Sequence, residues 1–150
     1  MLHKNVLLGA ATVLLLAVSS PSQQAGPLVT VYKLASCGCC GKWVEHLKAN
    51  GFTVKVLEVN DTSSYERQNH VPRSLESCHT AVVNGYTIEG HVPAADIKRL
   101  LSERPKAVGL SVPGMPVGSP GMEGDHSDPY SVFMFDESGD SPVYARHGTK

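Results

Sequence analysis

The order of extended and helical segments constrains the fold of this chain more than any other feature. Residues 29–34 (VTVYKL) and 52–59 (FTVKVLEV) are rich in β-branched and aromatic side chains, which predicts two strands. Between them, the apolar residues of 42–50 recur at helical spacing, and Asn50-Gly51 predicts the end of that helix. Two strands joined by one helix predict a parallel pair in a right-handed βαβ unit.

The next segments extend this unit. Residues 61–70 predict a short helix, because Asp61-Thr62 can cap it and Val71-Pro72 ends it. Asn84-Gly85 between two apolar runs, 80–83 and 86–88, predicts a hairpin. Residues 94–103 carry a helical apolar stripe. The resulting order, β-α-β-α-β-β-α, is that of an α/β, thioredoxin-like fold.

The last third of the chain differs in composition from the segments before it. Residues 112–123 are dense in Pro and Gly, which predicts a loop. Residues 131–135 and 142–145, joined by the polar segment 136–140, predict a C-terminal hairpin. The loop and the hairpin are additions to the minimal thioredoxin-like unit, and the sequence contains no internal repeat that would indicate a second domain.

The N-terminal segment has the build of a secretory signal peptide. Lys4 precedes an uncharged apolar run over 6–18, and small and polar residues follow, with cleavage sites after Ser19 or Ala25. The run is shorter than the roughly 20 apolar residues of a transmembrane helix, which disfavours an uncleaved membrane anchor. We therefore predict a signal peptide over 1–25, a mature domain over 26–150, and no stable membrane insertion after cleavage.

Composition and charge limit the classes of partner. The chain has 150 residues, of which 41% are hydrophobic and 18% charged, as in ordinary globular proteins. Its net charge is −1, and Lys and Arg are not clustered in the sequence. A field that attracts nucleic acid or anionic lipid is therefore not expected, and we predict no nucleic-acid partner.

The spacing of the four cysteines indicates a reactive or metal-binding site rather than structural disulfides. In an exported chain, four cysteines would ordinarily be expected to form two structural disulfides. However, Cys37, Cys39 and Cys40 lie within four positions, where a bridge closes almost no loop. At the turn before the first helix, the positive end of the helix dipole favours the thiolate form.

Cys78 completes the proposed site. It precedes the predicted strand at Thr80, where thioredoxin-like proteins place a cis-proline opposite the active-site cysteines. Four converging thiolates exceed the needs of a dithiol enzyme and suit a soft metal: Cu(I), zinc or an iron–sulfur cluster. Cu(I) is favoured, because Met115 and Met122 add thioethers that this ion accepts.

Several roles stay open at this level. Cys37 and Cys40 alone have the C-x-x-C spacing of a thiol–disulfide oxidoreductase, which is the alternative function. His79 either faces the metal with Cys78 or points away from it, because strands alternate faces. His91 is a ligand or a turn residue, and Met115 and Met122 are ligands or loop anchors.

These motifs resemble the CopG-type copper-resistance metalloproteins, a family long catalogued as a domain of unknown function. The match spans Val29 to Tyr144. The segments that carry it are Cys37-Gly38-Cys39-Cys40 with Trp43, His46-Leu47, Gly51-Phe52, Leu75 with Ser77-Cys78-His79-Thr80-Ala81, Gly90-His91-Val92-Pro93-Ala94-Ala95-Asp96-Ile97, Val112-Pro113-Gly114-Met115-Pro116 and Gly118-Ser119-Pro120-Gly121-Met122-Glu123.

The resemblance implies a thioredoxin-like fold, a location in the envelope of Gram-negative bacteria and a role in copper tolerance beside copper export or oxidation proteins. It carries over Cys37, Cys39, Cys40 and Cys78 as thiolate ligands of copper, with bridging of several ions as one form of the site. We predict a periplasmic protein that holds Cu(I). Whether it also interconverts Cu(I) and Cu(II), as a copper oxidoreductase would, stays open.

Overall fold

A computed structural model describes residues 25–148 as one seven-stranded sheet with three α-helices. The predicted signal peptide, 1–25, lies outside the described residues except for Ala25. The strands are β1 (Leu28–Leu34), β2 (Thr53–Val59), β3 (His79–Val83), β4 (Tyr86–Gly90), β5 (Gly109–Val112), β6 (Tyr130–Phe135) and β7 (Val143–His147). The helices are α1 (Gly38–Ala49), α2 (Ser63–Gln68) and α3 (Ala94–Glu103), with a 3₁₀ turn at Arg73–Leu75.

The sheet is mixed, which confirms the predicted α/β class. Its strand order is β2-β1-β3-β4-β5-β6-β7. β1 and β2 are parallel and connected by α1, as the βαβ prediction requires. β3 runs antiparallel to both of its neighbours, and β5, β6 and β7 form an antiparallel extension beyond β4. The Asn84-Gly85 turn joins β3 to β4 with positive φ angles at both residues, 48° and 85°, as a tight hairpin demands.

One strand, β5, was not predicted from the sequence, and one helix, α2, is shorter than predicted. β5 pairs in parallel with β4 and is buried along its length. A Cβ atom at Gly109 would collide with the Thr87 backbone of β4, so glycine permits this close pairing. The helix predicted over 61–70 is shorter in the structure, because the chain leaves helical geometry at Asn69 and reaches a positive φ at His70.

The main core lies between the sheet and the helices α1 and α3. Val29 and Val31 of β1 pack with Trp43 and Leu47 of α1, and other members come from α3 and the central strands. A second, smaller cluster joins Val71, Leu75 and Phe135. Among the described residues, no helix is both long enough and apolar enough to cross a membrane.

Candidate metal centre

The cysteine motif occupies the N-terminus of α1. β1 ends at Leu34, and Cys37 takes an extended conformation at the N-cap position. Its backbone N–H donates to the Leu34 carbonyl over 3.1 Å, which closes the turn between strand and helix. In the described structure no side chain caps this helix end and no acidic residue lies in its first turn. The first turn therefore presents backbone N–H groups beside the cysteine sulfurs, which favours thiolate.

The structure brings all four cysteines together. The Sγ atoms of Cys37, Cys39, Cys40 and Cys78 lie within 4.8 Å of one another. Cys37 and Cys40 are joined by a disulfide, whereas Cys39 and Cys78 are free thiols. The Cys39 sulfur lies 3.5 Å from that of Cys37. Cys40 is fully buried and the other three are half-buried, so the group is reachable from one side.

Cys78 reaches the helix from the segment that precedes β3. The Ser77 backbone N–H donates to Glu89 Oε1 over 2.7 Å, and the Ser77 hydroxyl donates to the Gly114 carbonyl over 2.5 Å. The Cys78 carbonyl lies 3.7 Å from the Cys40 sulfur. These contacts hold Cys78 opposite the first turn of α1, as the sequence predicted.

The Cys78 thiol holds its proton strongly in the metal-free protein. Burial, and then the neighbouring Cys39, raise its pKa to about 12. A metal ion must therefore displace this proton on binding, which makes affinity depend on pH.

Two histidines face Cys78. His91 Nε2 lies 3.0 Å from the Cys78 sulfur, and His79 Nδ1 lies 3.3 Å from it. His91 Nδ1 lies 2.8 Å from the Pro120 carbonyl, which can only accept, so Nδ1 carries the proton. The neutral ring then directs the lone pair of Nε2 at Cys78. Both histidines thus form a second donor group with Cys78. The ligand atoms of these three residues also lie within 4.8 Å of one another.

Burial keeps both imidazoles neutral, the form that binds metals. It lowers the pKa of His79 to about 3, with the neighbouring His91 adding to the effect, and it also lowers the pKa of His91. His79 Nε2 has no hydrogen-bond partner among the described residues. The His79 ring packs against Trp43, with ring centroids 4.4 Å apart. Cys78 lies before β3 begins, so the alternation of side chains along that strand does not turn His79 away from the Cys78 sulfur.

The two methionines of the Pro/Gly-rich loop differ in position. Met115 Sδ lies 4.0 Å from the Cys39 sulfur, and its side chain is 51% exposed. Met122 lines a cleft next to Cys39 together with Lys42 and Glu123. Met115 is therefore placed as a donor beside the centre, and Met122 borders its approach.

The loop over residues 113–124 packs onto the cysteine motif. Gly121 has a φ of 88°, and a Cβ atom there would lie 2.8 Å from both the Cys39 carbonyl oxygen and the Trp43 nitrogen. Glycine is thus required for this close approach. The Gly121 N–H also donates to Glu123 Oε1 over 2.8 Å. We call this segment the 113–124 loop.

Comparisons with known proteins agree with this geometry. A family model described as "Protein of unknown function, DUF411" matches residues 75–122, which include Cys78, His91 and most of the 113–124 loop. Two solved structures, "Copper resistance protein copG- Form 2" and "Copper resistance protein copG- Form 1", are each 49% identical. Each alignment covers 81% of this chain and 98% of the other, with TM-scores of 0.78 and 0.77. The chain belongs to the CopG copper-resistance family. A search of curated protein sequences gave no match.

The resemblance to CopG proteins predicted from the sequence is therefore confirmed. The donors that converge in this CopG member are thiols, neutral imidazoles and a thioether. Such soft and borderline donors fit Cu(I), whereas hard cations such as Mg²⁺ and Ca²⁺ prefer oxygen ligands. The residues present thus fit copper by their chemistry as well as by their convergence.

Two polar residues that support the centre were not singled out from the sequence. Glu89 is fully buried in β4 and also accepts a 2.8 Å hydrogen bond from the Thr80 hydroxyl. Its only signal in the sequence is an acidic residue directly after the predicted strand 86–88. His46 Nε2 accepts the Ala94 backbone N–H over 3.1 Å and so caps α3. The Ala94 partner of His46 lies too far along the chain to be inferred from spacing.

Proposed function

We propose that this protein is a periplasmic member of the CopG family that binds Cu(I) through the thiolates of Cys37, Cys39, Cys40 and Cys78. The observation that carries the proposal is the approach of all four sulfur atoms to within 4.8 Å. Two solved relatives are described as copper resistance proteins, which supports copper as the cargo and copper tolerance as the role. Export through residues 1–25, and contact with copper export or oxidation proteins, are parts of the same proposal.

The site is proposed to hold more than one copper ion. Cys78 belongs both to the four-cysteine group and to the group with His79 and His91. A thiolate shared by two donor groups can bridge two ions, as soft-metal clusters require. Met115 adds a thioether beside Cys39. Formation of the complete four-thiolate set requires reduction of the Cys37–Cys40 disulfide.

We also propose that the fold is thioredoxin-like. The element order from β1 to α3 is β-α-β-α-β-β-α, and β3 lies antiparallel between β1 and β4. The cysteine motif then lies at the first strand–helix turn, with Cys78 opposite it. In this view the strands β5–β7 are an addition to the thioredoxin-like unit.

Anaerobic titration of the fully reduced mature protein with Cu(I) tests the copper proposal. We expect more than one tightly bound copper per chain, with thiolate-to-copper charge-transfer absorption in the ultraviolet. Cys78→Ser should lower both the copper content and the affinity, because it removes the sulfur shared by the two donor groups. Ser36→Ala, beside the motif at an exposed residue, is the matched control.

Two results would contradict the proposal. One is the absence of Cu(I) binding by the reduced wild-type protein. The other is retention of a single zinc ion when excess Cu(I) is offered, with binding unchanged in Cys78→Ser.

A thiol–disulfide oxidoreductase is the second candidate function. The disulfide between Cys37 and Cys40 favours it, because Cys37 is half-buried and open to exchange. This function predicts that reduced, metal-free protein cleaves disulfides in a test protein such as insulin. Cys37→Ser would abolish that activity and Cys78→Ser would leave it in place, whereas inactivity of the wild type would exclude this function.

A further inference from the structure

Lys33 places a buried positive charge beside the turn that carries the cysteine motif. The residue is 7% exposed, and lysine is almost never buried to this extent unless a partner balances its charge. Its Nζ donates to the Leu34 carbonyl over 2.9 Å, and the Cys37 N–H donates to the same carbonyl over 3.1 Å. The ammonium group is therefore attached to the turn itself.

Lys33 also lies on the side of the sheet that carries His79. The two residues are paired directly across β1 and β3, and residues paired in this way point to the same face. That face is the one covered by α1, because the His79 ring packs against Trp43. Burial and then His91 are the larger causes of the low pKa of His79, and the charge of Lys33 adds to them.

The ion-pair partner of Lys33 offsets only part of its charge. Among the described residues this partner is Glu58 of β2, whose Oε1 lies 3.7 Å from Nζ. The Glu58 side chain is 62% exposed, so water screens its carboxylate.

Two other acids near the centre are no better placed to neutralise Lys33. Glu89 is paired with Thr80, which follows the donor histidine of β3 and so points to the opposite face of the sheet. Glu123 of the 113–124 loop acts on His91, and its side chain is exposed. The side of the centre formed by β1 and β3 therefore keeps a positive field.

This field acts on a donor group that has little negative charge of its own. Cys78, His79 and His91 supply one thiol and two neutral imidazoles. Only the thiol becomes anionic on binding, so a monovalent ion leaves the group with no net charge. A divalent ion leaves it with one positive charge, and a buried positive charge beside a second one is disfavoured.

We propose that Lys33 is a specificity-determining residue whose buried ammonium makes the Cys78/His79/His91 group bind Cu(I) in preference to divalent ions such as Zn(II). The inference rests on the proposed copper-binding function and adds selection by charge to selection by donor softness. Repulsion grows with the charge of the bound ion, so Lys33 weakens the binding of a divalent ion more than that of a monovalent ion.

The test isolates this donor group. Mature protein carrying Cys39→Ser is prepared with the Cys37–Cys40 disulfide, which leaves Cys78 as its free thiol. The dissociation constants for Cu(I) and Zn(II) are measured anaerobically by competition with chromophoric chelators, at one pH and one ionic strength. The readout is the dissociation constant for Zn(II) divided by that for Cu(I).

Replacement of Lys33 should lower this ratio. We expect Lys33→Met to lower it about tenfold, because the binding of Zn(II) improves more than that of Cu(I). Lys33→Arg keeps the charge and should leave the ratio within about twofold of the parent value. Lys55→Met is the matched control, since Lys55 is an exposed lysine on the adjacent strand β2.

Glu58→Gln distinguishes an effect of charge from an effect of structure. Both Glu58→Gln and Lys33→Met break the same ion pair, so a purely structural role would move the ratio in the same direction in both variants. The charge argument predicts opposite directions. Glu58→Gln exposes the centre to the full charge of Lys33 and should raise the ratio, by about twofold because the lost carboxylate is screened. This exposed substitution also tests the inference if Lys33→Met does not fold.

The outcomes separate this inference from the proposed function. An unchanged ratio in Lys33→Met, or a shift in the same direction in Glu58→Gln and Lys33→Met, would overturn the inference and leave copper binding standing. Absence of Cu(I) binding by the isolated donor group, with binding retained by the reduced wild-type protein, would do the same. Absence of Cu(I) binding by the reduced wild type would instead remove the proposed function itself.

Discussion

At the residue scale, Glu89 is a buried acid placed directly behind the segment that carries Cys78. It accepts hydrogen bonds from the Ser77 N–H and the Thr80 hydroxyl, and both contacts favour the carboxylate. Burial outweighs them and raises its pKa to about 8. Near neutral pH the folded protein therefore holds a proton at Glu89 that the unfolded chain releases.

This difference predicts a pH-dependent stability in the metal-free protein. A carboxyl whose folded pKa is raised stabilises the fold below its ordinary value of 4.5, and this contribution is lost as pH rises towards 8. Glu89→Gln keeps an acceptor for Ser77 and cannot ionise. We expect the variant to gain about 4 kcal/mol relative to wild type between pH 5 and pH 9. Urea unfolding at several pH values measures the difference, and a difference independent of pH would contradict the expectation.

The cysteines could be placed from the sequence, whereas the histidines could not. Cys37, Cys39 and Cys40 are near neighbours in the chain, and Cys78 precedes a recognisable strand. The approach of His91 to Cys78 depends on the positive φ of Gly90, 69°, at the end of β4 and on the Pro120 carbonyl. Neither feature leaves a pattern in residue spacing, so the sequence alone does not decide whether His91 is a ligand or a turn residue.

At the element scale, the 113–124 loop and α1 form one unit around the sulfur atoms. The loop contacts the helix backbone at Gly121 and orients His91 through the Pro120 carbonyl. Hydrogen bonds hold the irregular backbone of the loop in place, including one from the Gly118 N–H to the Met122 carbonyl over 2.8 Å. The site depends on the loop as much as on the helix.

Gly121→Ala tests that dependence. The added Cβ would meet the α1 backbone and would sit at a φ that side chains rarely adopt, so we expect a loss of about 2 kcal/mol in unfolding free energy. Cu(I) affinity should fall as well, because the loop must move away from Cys39. Gly41→Ala is the matched control, since no atom lies within 4 Å of its added Cβ and alanine favours the helix. Equal stability and affinity in the two variants would refute the argument.

Most elements could be predicted from the sequence because their patterns are long. α1, α3 and the β3–β4 hairpin each combine apolar periodicity with an end or turn residue. β5 is only four residues long and begins with glycine, so its sequence, GLSV, is too short to indicate a strand. β5 is fixed by its pairing with β4 and β6. These contacts join parts of the chain that are distant in the sequence.

At the scale of the whole molecule, the C-terminal strands contact the segment that leads to Cys78. Phe135 of β6 packs with Leu75 of the 3₁₀ turn, and the Ser111 hydroxyl of β5 donates to the Leu75 carbonyl over 2.6 Å. Leu75 lies three residues before Cys78. The added strands therefore help to fix the segment from which Cys78 projects.

Deletion of residues 129–150 should consequently prevent cooperative folding. The deletion removes Val132 and Phe135, which are 0% and 1% exposed, and uncovers one edge of β5. Burial of each such side chain contributes about 1.5–3 kcal/mol. Phe135→Ala in the full chain should lower the unfolding free energy by about 3–5 kcal/mol. Circular dichroism during thermal and urea unfolding measures both, and a truncated chain with the wild-type midpoint would show that the strands are dispensable.

The packing of Trp43 against His79 has an optical consequence. Trp43 is the single tryptophan of the chain, is fully buried, and donates its indole N–H to the Val92 carbonyl over 2.9 Å. Its emission therefore comes from one fixed environment beside a candidate ligand. An ion held by His79 and Cys78 would lie next to the excited indole and quench it. The unlabelled protein thus carries an intrinsic fluorophore that reports how far its centre is filled.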